Sequence, residues 1–284
     1  MKKLNVTILL LLAFAVVLGA CGKRNDESQG AASPSVSPSA PASASAPAAN
    51  ASLLDTIKAN GTIRIGTEGT YAPFTFHDKD GKLTGFDVEI AEEVAKRLGV
   101  KAEFIETKWD GMFAGLDAKR FDAVANEVSI RDDRKEKYDF SNPYIVSKAV
   151  LIVHQDNNDI KKLADLKGKK AGQSLTSNLT DIAKANGAEI VQTEGFNQAI
   201  ELLLSKRIDA TVNDGLSFLD FKKQQPNAPI KIVDETSDAS ESGFLFNKGN
   251  PELVDAVNKA LDAIKEDGTY LRISEKYFGA DVSK

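Results

Sequence analysis

The chain has 284 residues, 42% of them hydrophobic and 27% charged, which fits a soluble globular protein of one or two domains. Its net charge of −5 argues against nucleic acid as the main partner, because a phosphate backbone needs a basic surface. A single cysteine, Cys21, rules out an internal disulfide or a thiolate zinc site, and the two histidines, His77 and His154, stand in no metal-ligand spacing.

The chain opens with Lys2 and Lys3, an apolar run from Val6 to Val17, and then Leu18-Gly19-Ala20-Cys21. A basic start, a short apolar stretch and small residues before a cut site make a secretory signal, and the run is short for a membrane span. The tetrapeptide resembles a bacterial lipobox, which implies removal of residues 1–20 and lipidation of Cys21. The alternative is an ordinary signal with an incidental cysteine, but the one cysteine of the chain falls here. Residues 21–51 are mostly Ala, Ser and Pro. Such a stretch buries too little apolar surface to offset its ordering entropy, so it is expected to be a disordered tether. The folded body is expected from about residue 52.

That body alternates. TIRIGT reads as a strand and FDVEIAEEVAKRLG as a helix with Ile90, Ala91, Val94, Ala95 and Leu98 on one face; KAEFIE, WDGMFAGLDAK and FDAVAN continue as strand, helix and strand. The pattern restarts near Ala149 with AVLIV, LADLKG, KKAGQ, NLTDIAKANG, AEIVQ, FNQAIELLLSKR and DATVN. KRFDAVAN (119–126) and KRIDATVN (206–213) match, which favours two similar α/β lobes on largely parallel sheets, although so short a match also arises by chance. The closing helical tail, with Leu253, Val257, Leu261 and Ile264 on one face, is expected to return to the first lobe. The chain then crosses between lobes twice, near 146–149 and 239–243, making a hinge. The lobes are 52–146 plus 242–284, and 147–241. Ligands of such sheets bind beyond the carboxyl ends of the strands, here in a cleft that opens and closes.

Several residues fall at that rim. Asn126, Glu127, Val128 and Ser129 leave a first-lobe strand and lead to Arg134, whose forked guanidinium suits a carboxylate; the bland alternative is an exposed arginine in a charge run. Asp214 follows the twin strand and either holds an ammonium or caps the next helix. Thr176, Ser177 and Asn178 precede a helix and serve as anion donors, as caps, or as both. Tyr71 and Trp109, at strand-to-helix turns, are candidate aromatic walls, whereas Phe74 reads as core. Glu68 and Glu127 are further acids; if both face the cleft, the ligand side chain carries an ammonium or other positive group.

IRIGTEGTYAPFTF, GKLTGFDVEIAEEVAKRLGV, TKWDGMFAGLDAKRFDAVANEVSI, RKEKYDFSNPY and EDGTYLRISEKYFGADV resemble the polar amino-acid solute-binding proteins of ABC importers over residues 52–284. TKWDGM, NEVSI and LTSN look most like the cystine-binding members. The resemblance implies the type 2 periplasmic-binding architecture, with two α/β lobes and a two-crossing hinge. It implies a monomer that delivers its amino acid to a permease and ATPase complex, held to the membrane through Cys21. It implies Arg134 for the α-carboxylate, Asp214 for the α-ammonium, and Tyr71 and Trp109 as walls. Ser129, Thr176, Ser177 and Asn178 become hydrogen-bonding neighbours, and Glu68 meets a distal amine. Arg131 replaces the usual helix-capping Thr or Ser, which leaves Asp132 to cap. Leu179 stands where a polar or aromatic residue is common.

Among ligands, a basic amino acid such as arginine, lysine or histidine is the alternative to cystine. A dehydratase of the same fold is the enzymatic alternative, but the chain has no nucleophile–His frame, no Gly-rich phosphate loop and no metal motif. No enzyme activity, cofactor or metal is expected.

Overall fold

The computed structural model describes residues 51–284; the signal, the lipobox and Cys21, and nearly all of the tether lie outside the described residues. Two five-stranded sheets carry the body. The first runs, in spatial order, Lys101–Glu106, Thr62–Thr67, Ala123–Val124, Leu245–Asn247, Tyr138–Phe140. The second runs Glu189–Gln192, Lys170–Gln173, Ala210–Asp214, Ala149–His154, Ile230–Glu235. Three neighbouring strands of each sheet pair in parallel, and the last two pairings of each sheet are antiparallel. The expectation of largely parallel sheets therefore holds for the βαβ part of each lobe only. The antiparallel strands flank the hinge, where the chain turns back on itself instead of passing through a crossover helix.

The hinge is a ribbon: Ile145–Ser147 pairs antiparallel with Ser240–Ser242. The closing helices Pro251–Glu266 and Thr269–Phe278 return to the first lobe and bury Leu253, Val257, Leu261, Ile264 and Tyr270 against Phe86, Ile90 and Val94. The 16-residue helix begins with Pro at its first turn, where a missing N–H costs nothing. Helix Phe86–Leu98 ends at Gly99 with φ 78°, the left-handed stop that glycine permits. No helix among the described residues is long and apolar enough to cross a membrane.

The twin octapeptides prove to be one structural device used twice. Lys119 and Lys206 both adopt left-handed φ, 57° and 56°. Asp122 accepts from Arg64 N at 2.9 Å, and Asp209 from Lys170 N at 2.8 Å. Each acid thereby clamps its short buried strand to the neighbouring parallel one. Phe121 and Ile208 then lie over Gly66 and Gly172, so closely that a Cβ on either glycine would meet them at 2.6 and 2.7 Å. The device fixes where each strand ends, and so where Asn126 and Asn213 face the other lobe.

Candidate ligand-binding cleft

A cavity of about 690 Å³ lies between the two sheets. Its walls bring together Glu68, Tyr71, Trp109, Asn126, Glu127, Ser129, Ser177, Asn178 and Asp214, nine of the residues singled out from sequence. Three others stand elsewhere. Val128 is fully buried in the cluster of Trp109, Met112 and Leu116, while its neighbours Glu127 and Ser129 take the cleft side. Thr176 bonds across the lobes to Asp110, through its N–H at 3.0 Å and its hydroxyl at 2.9 Å. Arg134 is buried, 7% exposed, just behind the wall.

The acids are arranged in two stations. At the first, Glu127 of lobe one and Asp214 of lobe two come within hydrogen-bonding reach of each other. Such a bond needs a proton. Burial, then Asp214 and Asp87, push the Glu127 carboxyl well above the usual range. Asp214 is also raised by burial, but accepts from the Ser147 hydroxyl and from Leu216 N at 2.8 Å. It therefore caps helix Gly215–Gln224 and faces the cleft at once. The backbone of Glu127 is left-handed, φ 50°, a conformation unfavourable to a side-chain-bearing residue. Its N–H donates to buried Asp87 at 2.6 Å, which holds that conformation in place. The Tyr71 hydroxyl lies 3.1 Å from Glu127 Oε2 and 3.2 Å from Asn213 Oδ1.

The second station is Glu68. Asn126 clamps it, accepting from Glu68 N at 2.8 Å and donating to Oε2 at 2.7 Å. Burial still pushes this carboxyl up to about 7. Phe74 is wholly buried in the core, as its reading required.

The guanidinium of Arg134 packs between aromatic rings, 5.6 Å from the Trp109 centroid and 5.1 Å from that of Phe113. It donates to the Ser129 carbonyl at 3.0 Å, its one hydrogen bond among the described residues. A guanidinium has five N–H donors, so the others lack a protein partner here. Burial, with Arg131 nearby, lowers its pKa to about 10. An underpaired buried cation beside Ser129 is a site built for an anion. Arg131 itself lines the cleft, and its role was missed in the sequence. It pairs with Asp133 at 2.9 Å and, across the lobes, with Asp181 at 2.8 Å. Helix Asp132–Lys135 has no side-chain cap; Asp132 is its first residue and does not cap it. Ser177 does cap its helix, accepting from Leu179 N at 3.2 Å, and Leu179 is itself part of the cleft wall. Among the described residues no group of His, Cys, Asp and Glu is arranged to hold a metal.

Residues 63–280 match the model of the bacterial extracellular solute-binding proteins, family 3. The chain belongs to that family. It is 47% identical to the L-cystine-binding protein TcyA of Bacillus subtilis, over all of both chains. Among solved structures, an ancestral arginine-binding protein bound to arginine is 43% identical, with TM-score 0.73 over 77% of this chain and 99% of that one. The L-cystine solute receptor of Neisseria gonorrhoeae, unliganded and open, is 51% identical, yet its TM-score is 0.56 over 82% of this chain and all of the receptor. The more similar sequence superposes less well. In this solute-binding protein the lobes are drawn together, as the bonds Arg131–Asp181, Thr176–Asp110 and Asn197–Thr70 show.

Proposed function

We propose that this solute-binding protein closes over one amino acid carrying two ammonium groups, cystine, and presents it to the permease and ATPase of an ABC importer. The observation that carries the reading is the pair of separate acid stations, Glu127 with Asp214 and Glu68, with Tyr71 and Trp109 in the same wall. A ligand with one ammonium neutralises only one station. Arg134 takes the α-carboxylate with Ser129, Ser177 and Asn178 as neighbours; Asp214 takes the α-ammonium; Glu68 takes the distal one. Each such charge-assisted bond contributes roughly 1.5–3 kcal/mol in a dry cleft. The names of the Bacillus and Neisseria relatives support cystine.

The lobes that close are 52–146 with 242–284, and 147–241. Cys21 carries the lipid that holds the monomer on the extracytoplasmic face of the cell membrane, and residues 21–51 are its tether. One observation favours a basic amino acid instead: Glu68 suits a guanidinium as well as an ammonium, and the ancestral relative holds arginine. Calorimetric titration of the purified protein with cystine, arginine, histidine and glutamine tests the choice. Cystine is expected to bind tightest, and a clear preference for arginine overturns it.

A further inference from the structure

Cystine and arginine share two cationic heads, but only cystine carries a second carboxylate. The inference drawn here rests on the proposed function and concerns that carboxylate. A second cavity, about 440 Å³, adjoins the cleft and shares Glu68, Thr70 and Gly195 with it. Gly195 stands at the junction with φ 149°, and a Cβ there would already touch Glu68 Oε1 at 3.7 Å, so any side chain at this position would narrow the junction that glycine leaves. Beyond it the walls carry Glu106, Glu194 and Glu201, and one base, Lys108. Such walls attract a distal ammonium and repel a distal carboxylate unless Lys108 offsets them.

Lys108 belongs to lobe one and is paired with Glu194 of lobe two. Both side chains are about two-thirds exposed, 69% and 65%, so the pair is weak and exchangeable. Lys108 directly precedes Trp109, a wall of the main cleft. We infer that Lys108 determines specificity for a two-headed amino acid: it leaves Glu194 to bind the distal carboxylate, while Glu68 holds the distal ammonium. Arginine, with no second carboxylate, gains nothing from Lys108.

Two substitutions with opposite expected signs test this. If Lys108 is a ligand group, Lys108→Gln weakens cystine about 5-fold, and Glu194→Gln, which removes the competitor, tightens cystine about 3-fold. If the pair merely latches the lobes shut, both variants weaken cystine, and that result overturns the inference. Unchanged cystine affinity in Lys108→Gln also overturns it. Should the unsubstituted protein take up no cystine at all, the proposed function fails and this subsite fails with it; unaltered cystine binding by both variants sinks the subsite alone.

Discussion

Glu127 and Asp214, from opposite lobes, bring their carboxyls within hydrogen-bonding reach in the wall of the cleft. Closing the lobes therefore sets two acids against each other, with a third, Asp87, bonded to the backbone of the first. A proton can relieve the repulsion, and so can a ligand ammonium. The contact thus couples closure to the charge of what is enclosed, which is how a binding protein distinguishes a loaded cleft from an empty one.

The same contact predicts an inverted pH dependence of stability. Burial raises Glu68 and Asp87 to about 7 and also raises Glu127 and Asp214. In the unfolded chain these carboxyls titrate near 4, so between about pH 4.5 and 7 the folded protein holds more protons than the unfolded one. Stability then rises as pH falls through that window, and for Glu68 and Asp87 the cost of the charged form is complete above about 7. Thermal melts of the unliganded protein at pH 7.5, 6.5 and 5.5 are expected to show rising Tm. Asp87→Asn, which keeps an oxygen for Glu127 N but removes a titrating group, is expected to flatten the rise. A Tm that falls steadily over this range defeats the argument.

The strands and helices were legible because each carries its own period and stop, and the twin octapeptides pointed to the repeated clamp. The cleft was legible where residues follow a strand end directly: Glu68, Asn126, Glu127 and Asp214. It was not legible where the decisive neighbour comes from the other lobe. Nothing local in RDDRKEK tells that Arg131 finds Asp181 across the cleft, or that Thr176 spends its donors on Asp110. Val128 was misplaced for a simpler reason: the left-handed turn of the backbone at Glu127 sends the next side chain back into the first-lobe core, and nothing local in NEVS announces that turn.

Arg131 and Asp181 bridge the lobes at 2.8 Å, but their side chains are 33% and 59% exposed. Water and salt screen such a pair, and about 0.2–1 kcal/mol is the range for exposed pairs. Asp181→Asn is expected to raise the ligand dissociation rate by no more than about 5-fold, with little change in association. The difference from the unsubstituted protein is expected to vanish in high salt. Stopped-flow measurements at two ionic strengths check this; a hundredfold effect that persists in salt means Asp181 touches the ligand itself.

Arg134 supplies the sharpest separation of folding from binding. Its stem and guanidinium lie against Trp109 and Phe113, so truncation to alanine opens a hole in that cluster and is expected to cost about 1–3 kcal/mol of stability as well as affinity. Arg134→Met keeps the length and the apolar contacts while removing a buried charge that has one hydrogen bond among the described residues. Burying an underpaired cation is unfavourable, as the drop of its pKa to about 10 reflects. The methionine variant is therefore expected to melt at or above the temperature of the unsubstituted protein. If the guanidinium anchors the α-carboxylate as proposed, affinity for any α-amino acid is expected to fall at least about 100-fold. Parallel melting and calorimetry on the two variants give both numbers. Affinity within tenfold of the original in a well-folded methionine variant leaves the carboxylate with a different anchor, and the role proposed for Arg134 is then wrong.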